Sequence, residues 1–260
     1  MKRIFSVLLL ALLLCTALTG CGSKPTDDWS YIKDKGTLVI GVTVYEPMNY
    51  LDENGEWTGF DTDFARAVCE ELGLEAEFVQ IDWNTKEAEL DSRTIDCIWN
   101  GFTIDDDRRE KVDFTVPYLK NAQTVIVRAD SGFTSLADLA GLTVAAEMGS
   151  AGATAIENNL ADSTFIGVSL QTDCLTEVKA RTCDAAVIDY VMAKQMTGAG
   201  SSYSDITMLC DLDAEEYGIG FRKGSTAVAQ VNAAIEALAA DGTLAALAAP
   251  YGLDANLIVG

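Results

Sequence analysis

Short apolar runs alternate along this chain with segments whose apolar residues recur at helical spacing. The run at 38–42 predicts a buried first strand, and the alternation at 74–79 predicts a second strand. Between them, the apolar residues of 64–72 follow the helical period, with Asp61 as the expected N-terminal cap and Gly73 at the end. Strand, helix and strand in this order predict an α/β unit with a parallel sheet.

The same rhythm continues in the second half of the chain. An apolar strand at 123–128 leaves the first unit, and further strands are predicted at 142–146, 164–168, 185–189 and 206–209. The 260 residues leave room for one large domain or for two modest lobes. We place the start of a second α/β lobe in this region.

The N-terminus has the layout of a secretory signal. Lys2 and Arg3 precede an apolar run from Ile4 to Leu14, and small residues follow that run. The run is too short to span a bilayer stably, because a membrane helix needs about 20 apolar residues. We therefore expect residues 1–20 to be a signal peptide that is removed on export.

Residues Leu18-Thr-Gly-Cys21 match the bacterial lipobox. The match predicts cleavage before Cys21 and a diacylglyceryl thioether on its sulfur. This anchor would hold the protein at the outer face of the cytoplasmic membrane, or on the periplasmic side in a host with two membranes. Residues 21–36 would then form a lipidated polar tether. The alternative is an ordinary signal peptide with a chance cysteine at this place.

The charge balance narrows the range of partners. The chain has 18 Lys and Arg residues against 40 Asp and Glu residues, a net charge of −22. Removal of Lys2 and Arg3 with the signal peptide takes the charge to −24. Nucleic acid is excluded as a partner, since binding to it depends on Lys and Arg residues that neutralise phosphates. A charge of this size suits a soluble, monomeric protein.

The cysteines and the missing histidine exclude several chemistries. Five of the seven cysteines remain in the folded part once Cys15 is cleaved and Cys21 is lipidated, and an odd number cannot all pair internally. Cys174 and Cys183 flank a predicted helix and are candidates for a disulfide, although free thiols are favoured. Without histidine, a typical zinc site is not expected and a Ser-His-Asp or Cys-His catalytic system is impossible. We predict neither a metal nor a cofactor.

The densest group of candidate binding residues follows the buried strand Asp-Cys-Ile-Trp. This strand breaks at Asn100-Gly101, a turn-forming pair, and Thr103 comes next, with Arg108 five residues further on. Free backbone amides and one planar guanidinium in the same space are what a carboxylate requires. The alternative is that Arg108 only pairs with one of the acidic residues 105–107 on a solvated turn.

Together these residues resemble the signature of the amino-acid-binding proteins of ABC importers. In that family the strand, the hydroxyl residue, the acidic turn and the Arg lead into Phe-Ser/Thr-x-Pro-Tyr, which is matched here by FTVPY at 114–118. The resemblance covers about 37–251. It implies a periplasmic-binding fold of type II, in which two doubly wound α/β lobes are joined by two crossing strands. Lobe one would comprise 37–124 and 217–260, and lobe two 125–216 with the hinge strands.

In this family an Arg of the first lobe and backbone amides of both lobes hold the carboxylate of the solute. The resemblance assigns this role to Arg108, helped by the amides of Thr103 and Ser150. Gly149-Ser150 opens a helix of the second lobe, and a helix N-terminus favours an anion. Ala151 stands where the family usually has a hydroxyl, so one side-chain hydrogen bond is not expected here.

The same resemblance assigns the ammonium and the side chain of the solute. Asp189, at the carboxyl end of a strand, and the Gly101 carbonyl would receive the ammonium, and Tyr45 and Trp83 would cover the side chain. The structural alternatives are a helix cap for Asp189 and half-packed surface positions for the two aromatic residues. The complete set of expected ligand-binding residues is Tyr45, Trp83, Asn100, Gly101, Thr103, Arg108, Glu147, Gly149, Ser150 and Asp189.

Glu147 lies just before the Gly149-Ser150 loop, at the cleft edge of lobe two. Family members often carry Gln or Lys there. An acid would lose hydration when the lobes close unless a cation met it, which favours a basic solute such as arginine or lysine over glutamine, glutamate or cystine. Two observations oppose this. Thr43 stands where basic-solute binders often have an acid, and Glu147 is free to face water or to pair with a lysine.

We therefore predict an exported lipoprotein without enzymatic activity that captures a free amino acid and delivers it to the membrane permease of an ABC importer. One alternative is an exported dehydratase or lyase on the same fold, with Glu147 or Asp189 as general acid or base. The other alternative is the sensor module of a receptor. Turnover of a candidate such as arogenate or prephenate, against simple retention, separates the enzyme from the binding protein.

The lipid anchor is directly testable. Cys21→Ala removes the sulfur that would carry the lipid, so we expect this variant to leave the membrane fraction and to lose labelling by a fatty-acid probe. Cys15→Ala, which changes a cysteine within the expected signal peptide, is the control and should keep both properties. Unchanged membrane association of Cys21→Ala would contradict the lipoprotein assignment.

Overall fold

The computed structural model describes residues 27–259. The expected signal peptide and Cys21 lie outside the described residues, so the predictions on them stay predictions. The strands are β1 Thr37–Val42, β2 Tyr50–Leu51, β3 Trp57–Thr58, β4 Glu75–Gln80, β5 Cys97–Thr103, β6 Val112–Phe114, β7 Leu119–Arg128, β8 Thr143–Glu147, β9 Thr164–Val168, β10 Ala185–Asp189 and β11 Ile206–Arg222. The α-helices are α1 Asp28–Lys35, α2 Phe60–Leu72, α3 Lys86–Asp91, α4 Asp106–Lys111, α5 Ala151–Asn159, α6 Gln171–Ala180, α7 Tyr190–Met196, α8 Ala227–Ala240 and α9 Thr243–Ala248. Short 3₁₀ helices lie at Trp83–Thr85, Leu136–Leu139, Ala249–Tyr251 and Asp254–Asn256.

Nine of these strands form one sheet that runs through both halves of the protein. The order along the sheet is β4-β1-β5-β11-β7-β10-β8-β9, and β6 pairs with β11 off this path. At one end β1 pairs in parallel with β4 and β5, and at the other end β8 pairs in parallel with β10 and β9. Each end is a small parallel α/β unit, so the chain forms two lobes.

The long antiparallel pair of β7 and β11 joins the two lobes. Their pairing runs from Leu119 opposite Tyr217 to Arg128 opposite Ile206. β11 also pairs with β5 of the first lobe, and β7 pairs with β10 of the second. The strand predicted at 206–209 is only the beginning of the 17-residue β11. Its middle carries several acidic residues and therefore lacks the apolar pattern of a strand.

Apolar residues cover both faces of the sheet. β5 is buried at every position, which explains why its sequence shows no alternation of apolar and polar residues. In the first lobe, α2 and α8 pack on each other on one side, and Trp83, Leu90 and Phe102 belong to the cluster on the other side. In the second lobe, Ile156 of α5 packs with Val187 of β10.

Helix α1 corrects the predicted tether. Residues 28–35 fold as a helix that Asp27 caps by accepting a hydrogen bond from the Ser30 amide, and Gly36 ends it in the left-handed conformation. Ile32 of this helix is completely buried. The helix directly follows a polar segment and is itself rich in charged residues. Its composition therefore does not distinguish it from the tether.

Asp61 is not the cap of α2, as the sequence pattern suggested. Gly59 takes the N-cap position, and Asp61 lies in the first turn with its carboxylate buried. That carboxylate accepts hydrogen bonds from the Gly101 amide at 2.7 Å and from the Tyr118 hydroxyl at 2.8 Å. Both partners are distant in sequence, which a local cap pattern cannot reveal. The contact ties the start of α2 to β5.

The five cysteines of the described part are free thiols, as the sequence favoured. Cys174 lies inside α6 and not beside it, and both Cys174 and Cys183 are buried. Burial raises the pKa of both thiols, so each behaves as a small apolar side chain and not as a reactive group.

Between residues 27 and 259, no single helix is long and apolar enough to cross a membrane. One pair of helices, Ala227–Ala240 with Thr243–Tyr251, reaches the necessary length and composition only when both are counted together, and it is bent by 81°.

A buried ion network fastens α1 and the end of β11 to the first lobe. Arg222 pairs with Asp28 of α1 at 3.0 Å and with Asp96 at 3.3 Å. Its guanidinium also donates to two backbone carbonyls of the first lobe, at 3.0 and 2.7 Å. Asp96 also pairs with Lys35, and Asp28 pairs with the partly exposed Arg93 at 3.4 Å. Removal of Arg222 would take away the cation that both buried carboxylates share.

The network predicts a large difference between two arginine variants. Arg222→Ala leaves Asp28 and Asp96 without the guanidinium, so we expect the free energy of unfolding to fall by about 3–5 kcal/mol. Arg66→Ala removes an ion pair with Asp63 at 3.5 Å whose arginine is 46% exposed, and should cost below about 1 kcal/mol. Urea unfolding of both variants measures the difference, and equal losses would contradict the assigned role of the network.

Candidate functional site

Six strands contribute residues at or just after their carboxyl ends to one cleft between the lobes. These are β1, β4 and β5 of the first lobe and β8, β9 and β10 of the second, and open α/β sheets bind ligands at such strand ends. The cavity at this place is lined by Tyr45, Trp83, Asn100, Gly101, Thr103, Arg108, Glu147, Ser150, Ala151, Gln171 and Asp189. Nine of the ten residues expected from the sequence are among them, and the tenth, Gly149, lies in the adjoining groove.

The cavity is narrow in this structure. Its volume is about 10 Å³, measured as the space open to the centre of a water molecule, which is about the room for one water. The adjoining groove between the lobes measures about 840 Å³ on the same scale. A free amino acid is larger than one water molecule, so a solute enters only when the lobes move apart.

Arg108 is buried, and several groups hold its guanidinium in place. Its Nη1 donates to the Thr103 carbonyl at 2.9 Å, and its Nη2 donates to the Gly149 carbonyl of the second lobe at 3.3 Å. Asp105, which caps α4, also pairs with Nε at 3.2 Å, and the Phe102 ring lies 4.8 Å from the guanidinium carbon. The hydrogen bonds use two of the five N–H donors. The group is therefore fixed and keeps donors for a carboxylate.

Asp189 is held by three side-chain amides. Its Oδ1 accepts from Asn121 Nδ2 at 2.6 Å and from Gln123 Nε2 at 2.7 Å, and its Oδ2 accepts from Gln171 Nε2 at 2.7 Å. These donors fix the orientation of the carboxyl group in the cavity wall. Asp189 stands at the N-cap position of α7 but makes no capping hydrogen bond. Asp189 therefore occupies the place of a helix cap, but its side chain bonds to the three amides and not to the helix.

Glu147 is the least satisfied acidic group of the cavity. It is 3% exposed, and within the described part of the chain its Oε1 has no hydrogen-bond partner. Burial, and after it the charge of Asp189, raises the pKa of Glu147 to about 8. The nearby cations have other partners, since Lys86 pairs with Glu87 at 3.5 Å and Arg108 pairs with Asp105. The cavity thus presents an acid without a fixed cation.

Tyr45 and Trp83 are buried and not half-packed on the surface. The Tyr45 hydroxyl shares a hydrogen bond of 2.6 Å with the Tyr217 hydroxyl, and Trp83 packs edge-to-face on Phe102. Gly101 lies against Tyr45 with a φ of +56°, and a Cβ atom there would be 2.5 Å from Tyr45 Cε1. Glycine is therefore required for the Tyr45 ring to lie over the end of β5.

The side chains of Asn100 and Ser150, both expected to bind the solute, stabilise the local structure. The Asn100 side chain accepts from the Thr43 amide at 3.0 Å and donates to the Thr43 hydroxyl at 2.7 Å, so it fastens β5 to the segment after β1. The Ser150 hydroxyl caps α5 by accepting from the Ala153 amide at 3.1 Å. The Ser150 amide donates to the Glu147 carbonyl at 3.2 Å. Contrary to the prediction, that amide is not free for a solute carboxylate in this closed form.

The Gly149 carbonyl of the second lobe receives two cations from the first lobe. Lys86 Nζ donates to it at 3.0 Å and Arg108 Nη2 at 3.3 Å. Lys86 is buried, with its Nζ 4.9 Å from the centre of the Trp83 ring. Burial, and after it the charge of Arg108, lowers the pKa of Lys86 to about 8. This carbonyl is the point at which the protein's own cations connect the two lobes.

Sequence reasoning missed five residues around this site, namely Lys86, Asn121, Gln123, Gln171 and Glu215. Asn121 and Gln123 are alternate residues of β7, and Glu215 ends a run of alternating acidic residues in β11. Polar residues two apart in a strand lie on one face, so this pattern could have indicated a polar patch on the crossing strands. Lys86 and Gln171 each begin a helix, and nothing in the sequence separates them from ordinary surface residues.

A cleft between two α/β lobes, with a guanidinium and carboxylates at strand ends, defines a solute-binding protein of the hinged two-lobed class. Residues 38–254 match the family model of the bacterial extracellular solute-binding proteins, family 3. The chain belongs to this family. The match, together with the solved structures described next, confirms the predicted type II periplasmic-binding fold and the predicted solute-binding class.

Similar proteins are named for more than one amino acid. The chain is 31% identical over 248 residues to the arginine-binding extracellular protein ArtP of Bacillus subtilis (strain 168). This alignment covers 92% of this chain and 93% of ArtP. It is 30% identical over 225 residues to the L-cystine-binding protein TcyJ of Escherichia coli (strain K12), with coverages of 83% and 82%. The crystal structure of Tv2483 bound to L-arginine aligns with a TM-score of 0.84 at 27% identity, over 89% of this chain and 97% of that one. Because these proteins are named for different amino acids, the comparisons do not identify the solute of this protein, and the residues of its cavity have to indicate it.

The buried carboxyl groups predict how the stability of the solute-free protein depends on pH. Burial raises the pKa of Asp61 to about 7 and that of Glu147 and Glu215 to about 8. In the unfolded chain these groups titrate near pH 4, so between about pH 4 and 8 the folded state binds more protons. Stability therefore falls as the pH rises through this window. We expect a lower Tm at pH 8 than at pH 5.5.

Asp61→Asn tests one of these groups, because the amide imitates the protonated acid. This variant should show a flatter dependence of Tm on pH than the wild type. Asp91→Asn, at an exposed position, is the matched control and should keep the wild-type slope. A Tm of the solute-free wild type that rises from pH 5.5 to pH 8 would contradict the raised pKa values.

Proposed function

We propose that this protein captures a free L-amino acid with a cationic side chain between its lobes and presents it to the permease of an ABC importer. The observation that carries the solute class is the charge pattern of the cavity wall. This wall holds one guanidinium, from Arg108, and two carboxyl groups, from Glu147 and Asp189. A basic amino acid carries the complementary set of one carboxylate and two cations.

Each charged group of such a solute has a matching group in the cleft. Arg108 keeps N–H donors for the carboxylate, and its planar fork suits two parallel hydrogen bonds. Asp189, fixed by three amides, accepts the α-ammonium. Glu147 accepts the cation of the side chain, and Tyr45 and Trp83 cover the apolar part of that side chain.

Glu147 separates a basic solute from a neutral one. In the closed cleft its Oε1 has no partner among the described residues, and burial raises its pKa to about 8. A solute cation beside this carboxyl group would compensate the lost hydration, whereas a neutral side chain would leave that cost in place. ArtP and Tv2483, named above for arginine, support the same solute class, and TcyJ, named for cystine, does not.

Export, a lipid anchor on Cys21, a monomeric state and the lack of enzymatic activity complete the proposal. The extracellular family supports export, and the lipobox supports the anchor.

The dehydratase or lyase alternative draws support from Glu147, because a carboxyl group with a pKa near 8 suits a general acid. Incubation with arogenate or prephenate separates the two, since the binding protein returns the added compound unchanged.

Calorimetric titration with each of the twenty amino acids tests the proposed solute. We expect L-arginine or L-lysine to bind most tightly. Arg108→Ala should weaken this binding by about 2–5 kcal/mol, the scale for a buried charge that loses its partner. Glu147→Gln should weaken the binding of arginine and lysine and have little effect on neutral amino acids.

Arg109→Ala is the matched control, because Arg109 is exposed beside Arg108, and it should bind like the wild type. If an acidic or apolar amino acid binds most tightly, or if Glu147→Gln binds arginine and lysine unchanged, the cationic assignment is wrong and amino-acid capture remains. If none of the twenty amino acids binds, the whole proposal is wrong.

A further inference from the structure

Glu215 lies beside Asp189 and has no part in the function proposed so far. It belongs to β11, one of the two strands that join the lobes. Its Oε1 accepts from Asn121 Nδ2 at 2.6 Å and from Gln123 Nε2 at 2.9 Å. The same two nitrogen atoms lie 2.6 and 2.7 Å from Asp189 Oδ1. The two carboxyl groups therefore share both of their amide donors and lie close to each other.

Two ionised carboxylates are unfavourable in such an arrangement. Like charges at short range with little water between them disfavour double ionisation, and paired acids elsewhere hold one proton between them. The two amides are neutral and cannot offset a second negative charge. In agreement with this geometry, burial and then the charge of Asp189 raise the pKa of Glu215 to about 8.

The surroundings of the pair do not remove this conflict. The titratable and charged groups that face it are Glu147 of β8, Tyr45 after β1, Tyr217 and Asp213 of β11, Arg108 of α4 and Lys86 of α3. Asp213 adds negative charge, and Glu147 adds more whenever it is ionised. Both cations donate to the Gly149 carbonyl. The other side-chain contacts of the pair come from neutral groups, namely the Gln171 amide, which donates to Asp189 at 2.7 Å, and the Thr103 hydroxyl, which donates to Glu215 at 3.0 Å.

We propose that Asp189 and Glu215 share one proton in the solute-free protein and that the α-ammonium of the solute displaces it. The O–H bond of the carboxyl group breaks, the proton passes to water or buffer, and N–H···O hydrogen bonds of the ammonium replace it. The inference rests on the proposed function only in requiring a solute with an α-ammonium. Glu215 is then a positioning residue that acts through Asp189 and the shared amides. Because a proton is released, solute affinity rises with pH up to about pH 8.

Calorimetry with L-arginine in phosphate and in Tris at pH 7 counts the released protons, since these buffers differ in ionisation enthalpy. Glu215→Gln should release about one proton fewer per solute than the wild type. Between pH 6 and 7.5, its affinity should increase less steeply with pH, by up to about tenfold less per pH unit. A purely structural role of Glu215 would change the affinity equally at all pH values.

Two variants separate Glu215 from the other acids. Glu216→Gln changes the exposed neighbour of Glu215 in β11 and should keep the wild-type proton count. Glu147→Gln removes only the proton linked to the arginine side chain, so its remaining release is that of the pair. Carboxyl-carbon NMR of solute-free Glu147→Gln, labelled at glutamate, should show one glutamate that titrates near pH 8, and this measurement requires no change at Glu215.

Equal proton counts in the wild type and Glu215→Gln would overturn the inference and leave arginine binding intact. So would an NMR titration in which every glutamate of Glu147→Gln titrates near the ordinary value of about 4. A failure of all twenty amino acids to bind would overturn the proposed function together with the proton linkage.

Discussion

The cleft buries acidic groups that lack cations of their own, and this constraint shapes the site. A charge removed from water costs several kcal/mol unless the protein compensates it. Asp189 is compensated by three amides. Glu147 and Glu215 instead have raised pKa values, so protonation offsets the cost of burying them. A cationic solute would replace those protons, so the same acids that strain the empty cleft would favour the loaded one.

Most of the residues found from the sequence lie at the carboxyl end of an apolar strand or in the segment that follows it. Arg108 and Asp189 could be identified because a short local pattern marks each of them. Glu215 could not, because its role arises from the pairing of two crossing strands, with its partner Gln123 92 positions away. The apolar run predicts both ends of strand β9, whereas it predicts only the beginning of β11, because backbone pairing with β7, and not apolarity, makes the acidic middle of β11 a strand.

The first lobe supplies a rigid wall to the site. The Asp61 carboxylate fixes the Gly101 amide, and the absence of a side chain at Gly101 admits the Tyr45 ring. Arg222 fastens the end of the returning strand to α1. The contacts across the cleft are of another kind, since Lys86 and Arg108 reach only one backbone carbonyl of lobe two. Interior packing thus holds each lobe together. Opening of the cleft would break only the polar contacts between the lobes, such as those to the Gly149 carbonyl.

The two cations on the Gly149 carbonyl give the closed form contacts that require no solute. A solute-free molecule that closes in this way cannot admit an amino acid, and the apparent affinity falls in proportion to the fraction of open molecules. Empty closed molecules would also compete with loaded ones for a permease that recognises the closed shape. Loss of this carbonyl contact would therefore lower the share of closed molecules that carry no amino acid.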